Sequence, residues 1–371
     1  MATVTFKDAS RIYPKATRKA VDRLSLEVGD GEFVVLVGPS GCGKTTSLRM
    51  LAGLEAVDEG EILIDDRNVV NLPPRSRDIA MVFQNYALYP HMNVAENMGF
   101  ALKIAKLKKS EIKARVQEAA KMLDLEDYLQ RKPGQLSGGQ RQRVAIARSL
   151  VLEPTLLLLD EPLGALDLKL REHMKIELKQ LQAEFATTFV YITHDQSEAL
   201  VLSDCVGVMN QGRFEQLGTP QDLYYRPATP FVAAFVGDNN RIVGRAAEVD
   251  GAMVQIATED GWVIRARRHA AVAAGDAVEA FIRPEAATLG REAGQLPPGQ
   301  PVHEGLVESL LFDGANSAVL LRETRSRREF RIALPQTGQF ADLRPAEKVV
   351  FSFDPERATC FAARAGAAGR P

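Results

Sequence analysis

The sequence predicts an α/β domain built on a parallel sheet, followed by an all-β, barrel-like domain. Three observations lead to this prediction. The runs "EFVVLVG" and "TLLLLDEP" have the continuous apolar character of strands buried on both faces. Helical patterns separate these two runs, as expected of an α/β fold. Beyond about residue 240, short strand patterns follow one another with turn signals and few helical patterns between them.

The composition is that of an ordinary globular protein with room for two or three domains. The 371 residues are 46% apolar and 25% charged, with a formal net charge of −2, a typical balance for such chains. Because basic residues are not in excess, we expect no nucleic-acid partner. The three cysteines, Cys42, Cys205 and Cys360, lack metal-ligand spacing, so we expect reduced thiols in a cytosolic compartment.

No segment of the sequence has the length and apolar character of a membrane helix. Unbroken runs of Leu, Ile and Val reach only four residues, as at Leu156–Leu159 and Val34–Val37, far below the roughly 20 residues that a span requires. The N-terminal segment "MATVTFKDAS" lacks the apolar core of a signal peptide. We therefore expect a chain that does not itself cross a membrane.

The N-terminal part alternates between short strand patterns and one helix. "ATVTFKDAS" and "AVDRLSLEV" are interpreted as antiparallel strands, and "GEILIDDRNV" as a further strand and turn. "EFVVLVG" predicts a central strand. "TSLRMLAGL" predicts a helix that follows it after a glycine-rich loop.

Helical periodicity dominates from about residue 94 to 151. "SEIKARVQEAAKML" places Ile112, Val116, Ala119 and Leu123 on one face, with Ser110 as the expected N-cap. "LREHMKIELKQLQAEF" predicts a second amphipathic helix, and "TFVYITHD" predicts another strand. "CVGVMNQGRFEQLG" predicts a hairpin that turns around residues 210–212.

A phosphate-binding loop is the first motif that carries chemistry. "GPSGCGKT" fits G-x-x-x-x-G-K-[ST] between a predicted strand and a predicted helix. Glycines let backbone N–H groups converge on phosphate oxygens, and the helix N-terminus adds a positive dipole end. Lys44 should reach the β- and γ-phosphates, and Thr45 should ligate Mg²⁺. The expected nucleotide-binding residues here are Gly38, Pro39, Ser40, Gly41, Cys42, Gly43, Lys44, Thr45 and Thr46.

Cys42 lies inside this loop. We therefore expect a bulky thiol reagent to inhibit the protein and ATP to protect it.

An acidic pair follows the second buried strand. Asp160 comes at the carboxyl end of "LLLLD", where open α/β sheets bind ligands, and is suited to hold Mg²⁺ through water. Glu161 must point in a different direction from its neighbour. It can therefore serve as a general base or orient an attacking water molecule.

Three further side chains have both a functional and an ordinary interpretation. His194 follows the apolar run "FVYIT", where it could reach a γ-phosphate or be incidental. Gln84, in "MVFQNYALYP", could be a ligand or simply a polar loop residue. Tyr13, near the first strand, could stack on a base or pack against the protein.

A second glycine-rich segment, "LSGGQ", opens another helix but has no lysine. It offers the Ser137 side chain and the N–H groups of Gly138 and Gly139 at a helix N-terminus. Such a site is weaker than the first loop and suits a γ-phosphate already held elsewhere. The expected residues of this segment are Ser137, Gly138, Gly139 and Gln140.

In this order, the motifs resemble the ATP-binding subunits of ABC transporters over about residues 3–235. The resemblance implies a P-loop NTPase with a RecA-like core, an antiparallel β subdomain and a helical subdomain at about 94–151. It implies that Tyr13 stacks on adenine, that Gln84 touches Mg²⁺ and senses the γ-phosphate, and that His194 is the switch histidine. It also implies that Asp167, in "GALD", crosses a dimer interface.

The same resemblance implies how the protein assembles. The "LSGGQ" segment of one copy faces the phosphate loop of the other, so the chain is expected to form a homodimer that binds ATP and Mg²⁺. The helical subdomain and the Gln84 loop are expected to receive two membrane-spanning permease subunits. A solute-binding protein would act through them. The chain is therefore expected at the cytoplasmic face of the plasma membrane, as a peripheral subunit.

The C-terminal part resembles the regulatory β domain, of the OB or TOBE type, found in importer ATPases. "FIRPEAATL" is its most recognisable piece. We expect an ATPase domain over 1–237, a barrel-like domain over 238–371, and a disordered tail over about 362–371. Trp262 and Phe281 are expected in the core of the second domain.

The transported solute is the least determined prediction. "LGALDLKLREHMKIELKQLQ" and "FVGDNNR" look more like importers of polyamines such as spermidine and putrescine, or of related organic cations. "YPHMNVAENMGFALKIAKL" looks more like sugar importers, so sugar or glycerol-phosphate import is the alternative. A soluble ATPase of nucleic-acid metabolism and an exporter ATPase are the remaining alternatives. The single cassette argues against the first and the large C-terminal domain against the second.

Overall fold

A computed structural model describes residues 2–363, except residues 186, 313 and 315. The chain divides into two compact units, Met1–Leu223 and Tyr224–Pro371. The boundary between the two units, after Leu223, therefore lies earlier in the chain than the domain boundary expected at 237/238. The strands of the first unit are β1 (Val4–Arg11), β2 (Val21–Val28), β3 (Phe33–Val37), β4 (Glu59–Ile64), β5 (Arg67–Asn68), β6 (Ile79–Val82), β7 (Leu156–Asp160), β8 (Thr188–Thr193), β9 (Cys205–Asn210) and β10 (Arg213–Gly218).

The strands of the first unit form two sheets. One is antiparallel, with the order β2-β1-β4-β5, as predicted for the N-terminal segments. The other has the order β10-β9-β3-β8-β7-β6 and is parallel from β9 to β6. Every residue of β3, β7 and β8 is buried, which confirms that the continuous aliphatic runs are central strands.

The predicted hairpin joins β9 to β10. Gln211 and Gly212 connect the strands and have φ values of 48° and 81°. Positive φ at both central positions is typical of a tight hairpin turn whose twist matches that of the strands.

The helices of the first unit include the predicted ones and two short ones near its C-terminal end that were not predicted. They are α1 (Lys44–Ala52), α2 (Val94–Ile104), α3 (Lys109–Met122), α4 (Gly138–Leu150), α5 (Leu168–Phe185), α6 (Gln196–Leu202) and α7 (Pro220–Tyr225), whose last two residues belong to the second unit.

The helices confirm one predicted face and correct one predicted cap. Val116, Ala119 and Leu123 are buried, as expected, and Ile112 of the same face is half-buried. The expected N-cap at Ser110 is wrong, because Lys108 has the extended backbone of a cap and the helix begins at Lys109. Ser110 therefore lies in the first turn of α3, where its side chain is exposed.

The second unit is rich in β-structure and contains a closed barrel, β11-β12-β13-β20-β14, and an antiparallel sheet, β15-β19-β16-β17-β18. Its elements are α8 (Pro230–Phe235), β11 (Asn240–Asp250), β12 (Met253–Ala257), β13 (Val263–Arg268), β14 (Ala277–Ile282), β15 (Ala287–Gly290), β16 (His303–Phe312), β17 (Ser317–Glu323), β18 (Glu329–Leu334), β19 (Lys348–Phe353) and β20 (Thr359–Ala362).

The core of the second unit contains a buried tryptophan–histidine pair. Trp262 and Phe281 are both buried, as predicted. Trp262 Nε1 donates to His303 Nδ1 at 3.0 Å, and Phe351 and Phe353 lie beside the imidazole ring. Burial lowers the pKa of His303 to about 4, against the opposing charge of Glu323. This histidine is therefore packed as a neutral group.

The expected disordered tail begins inside an ordered strand. Ala362 is the last residue of β20, and Ala363 N donates to Ala277 O at 2.8 Å. The rest of that segment, 364–371, lies outside the described residues. Within the described ranges, no helix is long and apolar enough to cross a lipid bilayer.

Candidate functional site

The phosphate loop connects β3 to α1 and depends on glycine at three positions. Gly41 and Gly43 have φ values of +75° and +110°, in the left-handed region that favours glycine. A Cβ at Gly43 would lie 2.6 Å from Ala20 O, and one at Gly38 would lie 2.3 Å from Met209 O. At Gly41 a Cβ would meet nothing within 4 Å, so this glycine faces the open side of the loop.

Lys44 folds back over this loop. It is 5% exposed, and its Nζ donates to Gly38 O at 2.6 Å and to Pro39 O at 3.1 Å. Helix α1 starts without a side-chain cap and without an acidic residue in its first turn. The first N–H groups of a helix have no intrahelical partner. An ammonium group and a free helix N-terminus therefore fit a phosphate group.

The loop residues differ in exposure. Pro39, Ser40 and Gly41 are exposed, and Thr45 and Thr46 are half-buried in the first turn of α1. Open space thus lies along the rim of the loop, with the two hydroxyl-bearing residues at the start of the helix.

Cys42 is less accessible than the sequence suggests. It is 3% exposed, and its Sγ lies 3.8 Å from Lys44 Nζ. Burial raises the pKa of the Cys42 thiol, although the Lys44 charge opposes this shift. A buried thiol with a raised pKa reacts slowly, so its position in the loop does not make it an exposed target.

The acidic pair lies where β7 ends, and its two members have different backbone conformations. Asp160 is the last residue of β7 and is 7% exposed. Burial raises the pKa of its carboxyl, and Arg49 partly opposes this. Glu161 has a φ of +46°, so the chain leaves the strand direction there. Its N–H donates to Ile192 O at 3.1 Å.

Three predicted residues meet at the carboxyl ends of neighbouring strands. His194 Nδ1 lies 3.0 Å from Glu161 Oε2, and Gln84 Nε2 donates to the same oxygen at 3.3 Å. They come together because β8, β7 and β6 are adjacent and parallel. A carboxylate held in this way can accept a proton from a water molecule.

The "LSGGQ" segment forms the start of α4. Ser137 is its N-cap: its Oγ accepts from Gln140 N at 3.3 Å, and Gln140 Oε1 accepts from Ser137 N at 2.9 Å. A Cβ added at Gly138 would lie 3.1 Å from Leu166, and one at Gly139 would lie 3.0 Å from Leu170. Glycine therefore allows α4 to start close to the segment that contains Asp167.

Asp167 itself has a local partner. Its Oδ1 accepts from Leu170 N at 3.0 Å, at the start of α5. Among the described contacts, none joins Ser137 or Asp167 to Lys44. Within one chain, the two glycine-rich segments are therefore not joined in one site.

Tyr13 lies on the segment that follows β1. It is half-buried, and the Arg11 guanidinium lies 4.8 Å from the centre of its ring. The same segment continues to Ala20, whose carbonyl contacts the position of Gly43. The segment that carries Tyr13 therefore borders the phosphate loop.

Two contacts near the site were not predicted. Arg148 of α4 donates to Ala87 O at 2.6 Å and to Tyr86 O at 3.1 Å, which ties the loop after Gln84 to the "LSGGQ" helix. Asp195 accepts from Ser197 N and Glu198 N and is the N-cap of α6. Asp195 had a recognisable signal, an acid three residues before a glutamate at a helix start. Arg148 had none, because its partners depend on the tertiary fold.

This combination defines a P-loop ATPase domain. A phosphate loop lies between a buried strand and a helix, and an acidic pair follows a parallel strand of the same sheet.

The comparison with protein families is more specific. Residues 21–164 match the family model described as "ABC transporter". With the similarities below, which cover at least 80% of this chain and of each relative, the chain belongs to the ATP-binding proteins of the ABC transporter family, which confirms the resemblance and the fold class.

Relatives match along most of their length. The chain is 50% identical to "Diacetylchitobiose uptake system ATP-binding protein MsiK" of Streptomyces coelicolor, over 85% of this chain and 86% of that protein. It is 51% identical to "sn-glycerol-3-phosphate import ATP-binding protein UgpC" of Chromobacterium violaceum, over 80% of each. It is 46% identical to "Spermidine/putrescine import ATP-binding protein PotA" of Acidothermus cellulolyticus, over 92% and 89%.

Solved structures match the fold of the ATPase. The structure titled "Dimeric structure of a post-hydrolysis state of the ATP-binding cassette MJ0796 bound to ADP and Pi" has a TM-score of 0.53 and 35% identity. The similarity covers 58% of this chain and 98% of the other. "Dimeric Structure of MJ0796, a Bacterial ABC Transporter Cassette" gives the same values.

Proposed function

We propose that this chain is the ATP-hydrolysing subunit of an ABC importer. The contact of Glu161 with both His194 and Gln84 carries the proposal, because these side chains meet at the carboxyl ends of the strands, the end of the sheet at which the phosphate loop also begins. The relatives support an importer in particular. One alignment covers 346 residues, more than the first unit alone contains, so the similarity includes part of the C-terminal β unit.

In this proposal the phosphate loop and α1 hold the triphosphate. Lys44 exchanges its carbonyl acceptors for β- and γ-phosphate oxygens, and Tyr13 stacks on the adenine. Thr45, Gln84 and Asp160 are the proposed Mg²⁺ ligands, with Asp160 acting through water. Their hydroxyl, amide and carboxylate oxygens are the type of donor that Mg²⁺ prefers. When bound, this ion would neutralise phosphate charge.

Glu161 is the proposed general base. Its carboxylate accepts the proton of the attacking water, while Gln84 and His194 hold that carboxylate from two sides. His194 is 59% exposed in its side chain and Glu161 is 19% exposed. The imidazole is therefore accessible to a ligand, while the base is partly shielded.

Two copies of the chain are proposed to complete two sites. Ser137, Gly138, Gly139, Gln140 and Asp167 would meet the nucleotide held by the other copy. The separation of these residues from Lys44 within one chain supports this arrangement, as do the dimeric cassettes named above. A two-fold pair uses each surface twice, so both sites form together.

The helical segment offers a surface for the proposed permease subunits. A cavity of about 800 Å³ lies between α2 and α3. Its lining combines apolar and basic side chains, including Phe100, Leu107, Ile112, Lys103 and Lys113. Met92 at the cavity edge belongs to the loop that follows Gln84. Such docking would hold the chain at the cytoplasmic face of the membrane, where a solute-binding protein would act indirectly.

For the solute, we propose polyamines or related organic cations, with sugars or glycerol-phosphate as an equally supported alternative. The names of the relatives divide between these classes. Uptake of labelled putrescine, diacetylchitobiose and sn-glycerol-3-phosphate should be measured in the native cell with and without this chain. Loss of putrescine uptake alone supports the first choice. Loss of diacetylchitobiose or sn-glycerol-3-phosphate uptake would instead support the alternative. Unchanged uptake of all three solutes would contradict the proposed importer role for these solutes.

A further inference from the structure

A ring of contacts joins the segment after β7 to the segment after β8. On one side, Glu161 Oε2 and His194 Nδ1 are 3.0 Å apart. From Glu161 the ring continues along the backbone, because Gly164 N donates to Glu161 O at 3.2 Å and Leu166 N donates to Leu163 O at 3.1 Å. Two overlapping turns therefore lead from the proposed base to Leu166, the residue that precedes Asp167.

Arg171 closes the ring on the other side. It lies in the first turn of α5, where its Nη2 donates to Leu166 O at 3.0 Å. Its Nη1 donates to Asp195 Oδ2 at 3.4 Å, and Asp195 is the neighbour of His194. One guanidinium thus contacts both the Asp167 segment and the His194 segment.

Asp195 is bonded both to Arg171 and to the elements on either side of His194, so a shift of Arg171 would act on those elements. Its Oδ1 accepts from Ser197 N at 2.8 Å, and its own N–H donates to Thr193 Oγ1 at 2.9 Å. Thr193 in turn donates to the buried Glu198. Asp195 is therefore tied to α6 through one carboxylate oxygen and to β8 through its N–H, and its other carboxylate oxygen accepts from Arg171.

One donor of Arg171 has no partner. Its Nε is buried and makes no hydrogen bond within the described part of the chain. Buried donors are usually paired. The Arg171 Nε–H is therefore available to bond a further acceptor when the Asp167 segment moves.

We propose that Arg171 is a positioning residue that transmits the position of the Asp167 segment to His194. This inference rests on the proposed function, in which Asp167 meets the second copy. Contact with that copy moves Leu166 O, Arg171 follows, and Asp195 carries the shift to His194 and its contact with Glu161. Each site thereby responds to whether the other copy is in place.

The alternative is an ordinary ion pair that only holds α5 against α6. The side chains of Arg171 and Asp195 are each 25% exposed, and ion pairs with access to water contribute little to stability. A merely structural pair therefore predicts little change in activity, whereas a positioning role predicts a loss of kcat.

Three variants of the full chain test the proposal: R171Q, D195N and the double variant. D195N keeps an oxygen that can cap α6 but presents its NH₂ group to Arg171. We expect R171Q and D195N each to lower kcat for ATP about 10- to 100-fold, the range for a displaced catalytic group, with unchanged ATP affinity. The Hill coefficient for ATP should fall towards unity, and the double variant should be no worse than either single one.

K179Q is the matched control. Lys179 lies on the same helix and pairs with Asp204 at 2.7 Å, away from both segments, so this variant should retain the wild-type kcat and Hill coefficient. Wild-type kcat in R171Q, or effects that add in the double variant, would overturn the role of Arg171. A wild-type chain with a Hill coefficient near unity would instead count against the pairing of two copies. In that case the role of Arg171 would also be refuted if R171Q and D195N changed kcat independently of each other.

Discussion

The imidazole Nδ1 of His194 lies 3.0 Å from the carboxylate Oε2 of Glu161. These residues are 33 positions apart in the chain and meet because β7 and β8 are neighbouring parallel strands. The contact forms at the edge of the sheet where the phosphate loop also begins. It gives the proposed base a fixed place relative to the nucleotide-binding residues.

Replacement of Glu161 by glutamine should stop hydrolysis and leave nucleotide binding intact. Glutamine keeps the shape and the contacts but cannot take up the proton, so kcat should fall by about 10²- to 10⁴-fold. With ATP present, E161Q should accumulate as a dimer, measured by light scattering. E184Q, which changes an exposed acid of α5, is the control. Hydrolysis near the wild-type rate in E161Q would remove Glu161 from this role.

Replacement of Lys44 by alanine should weaken ATP binding. The loss of one charged donor corresponds to roughly 1.5–3 kcal/mol, or about 10- to 100-fold in Kd. Because Lys44 also bonds Gly38 O and Pro39 O, circular dichroism should verify that K44A remains folded. K7A removes an exposed lysine of β1 and should bind ATP normally. Normal affinity in folded K44A would contradict the assignment of the phosphate loop.

The reaction of Cys42 with a maleimide should be slow at neutral pH and accelerate with pH. Its pKa is raised above the ordinary 9.0 by burial, and only the thiolate reacts. The rate should therefore rise about tenfold per pH unit between pH 7 and 9. Labelling should be measured by mass spectrometry in a C205S/C360S background, where the adduct should block ATPase activity and ATP should protect. Rapid labelling at pH 7 would contradict the buried position of Cys42.

The stability of the second unit should fall as the pH is lowered, because His303 is packed as a neutral group. Its pKa is about 4 in the folded protein and about 6.5 in an unfolded chain. Below pH 6.5 the unfolded state binds the extra proton, so up to about 3 kcal/mol of stability is lost by pH 4.

Trp262 is the single tryptophan of the chain, so its fluorescence during urea unfolding reports on this unit. H303N, which keeps an acceptor for Trp262 Nε1, should lose stability at neutral pH but show a smaller decrease between pH 7 and 5. H269Q, which removes an exposed imidazole of the same unit, is the matched control. Equal pH dependence in H303N and the wild type would exclude His303 as the cause.

The sequence predicted the central sheet and most of the candidate site because both depend on local patterns. The continuous aliphatic runs predict the buried strands, and the carboxyl ends of parallel strands lie at the same end of a sheet. Glu161 and His194 were each predicted to follow a buried strand, and the parallel pairing of β7 and β8 brings them together. The glycine-rich loop could also be predicted from a local pattern, because its motif is contiguous and the turn requires a positive φ at Gly43 itself.

Features that depend on tertiary contacts could not be predicted in this way. Ser110 is a good capping residue by type, yet the helix begins one residue before it, at Lys109. Cys42 lies in an open loop by motif, yet its thiol packs under Gly38 and Lys44. Arg171 has no distinctive sequence context, because its two partners meet only after α5 and α6 are in place.

The central claim is that each ATP site is shared between two copies of the chain, and mixing two inactive variants tests it most directly. K44A damages the phosphate loop and S137F damages the "LSGGQ" segment, so both sites are defective in either homodimer. A mixed dimer would contain one site with both elements intact. We predict that ATPase activity, absent from each variant alone, returns when the two are refolded or co-expressed together. Mixtures as inactive as the separate variants, with mixed dimers verified by differential tags, would contradict the shared site.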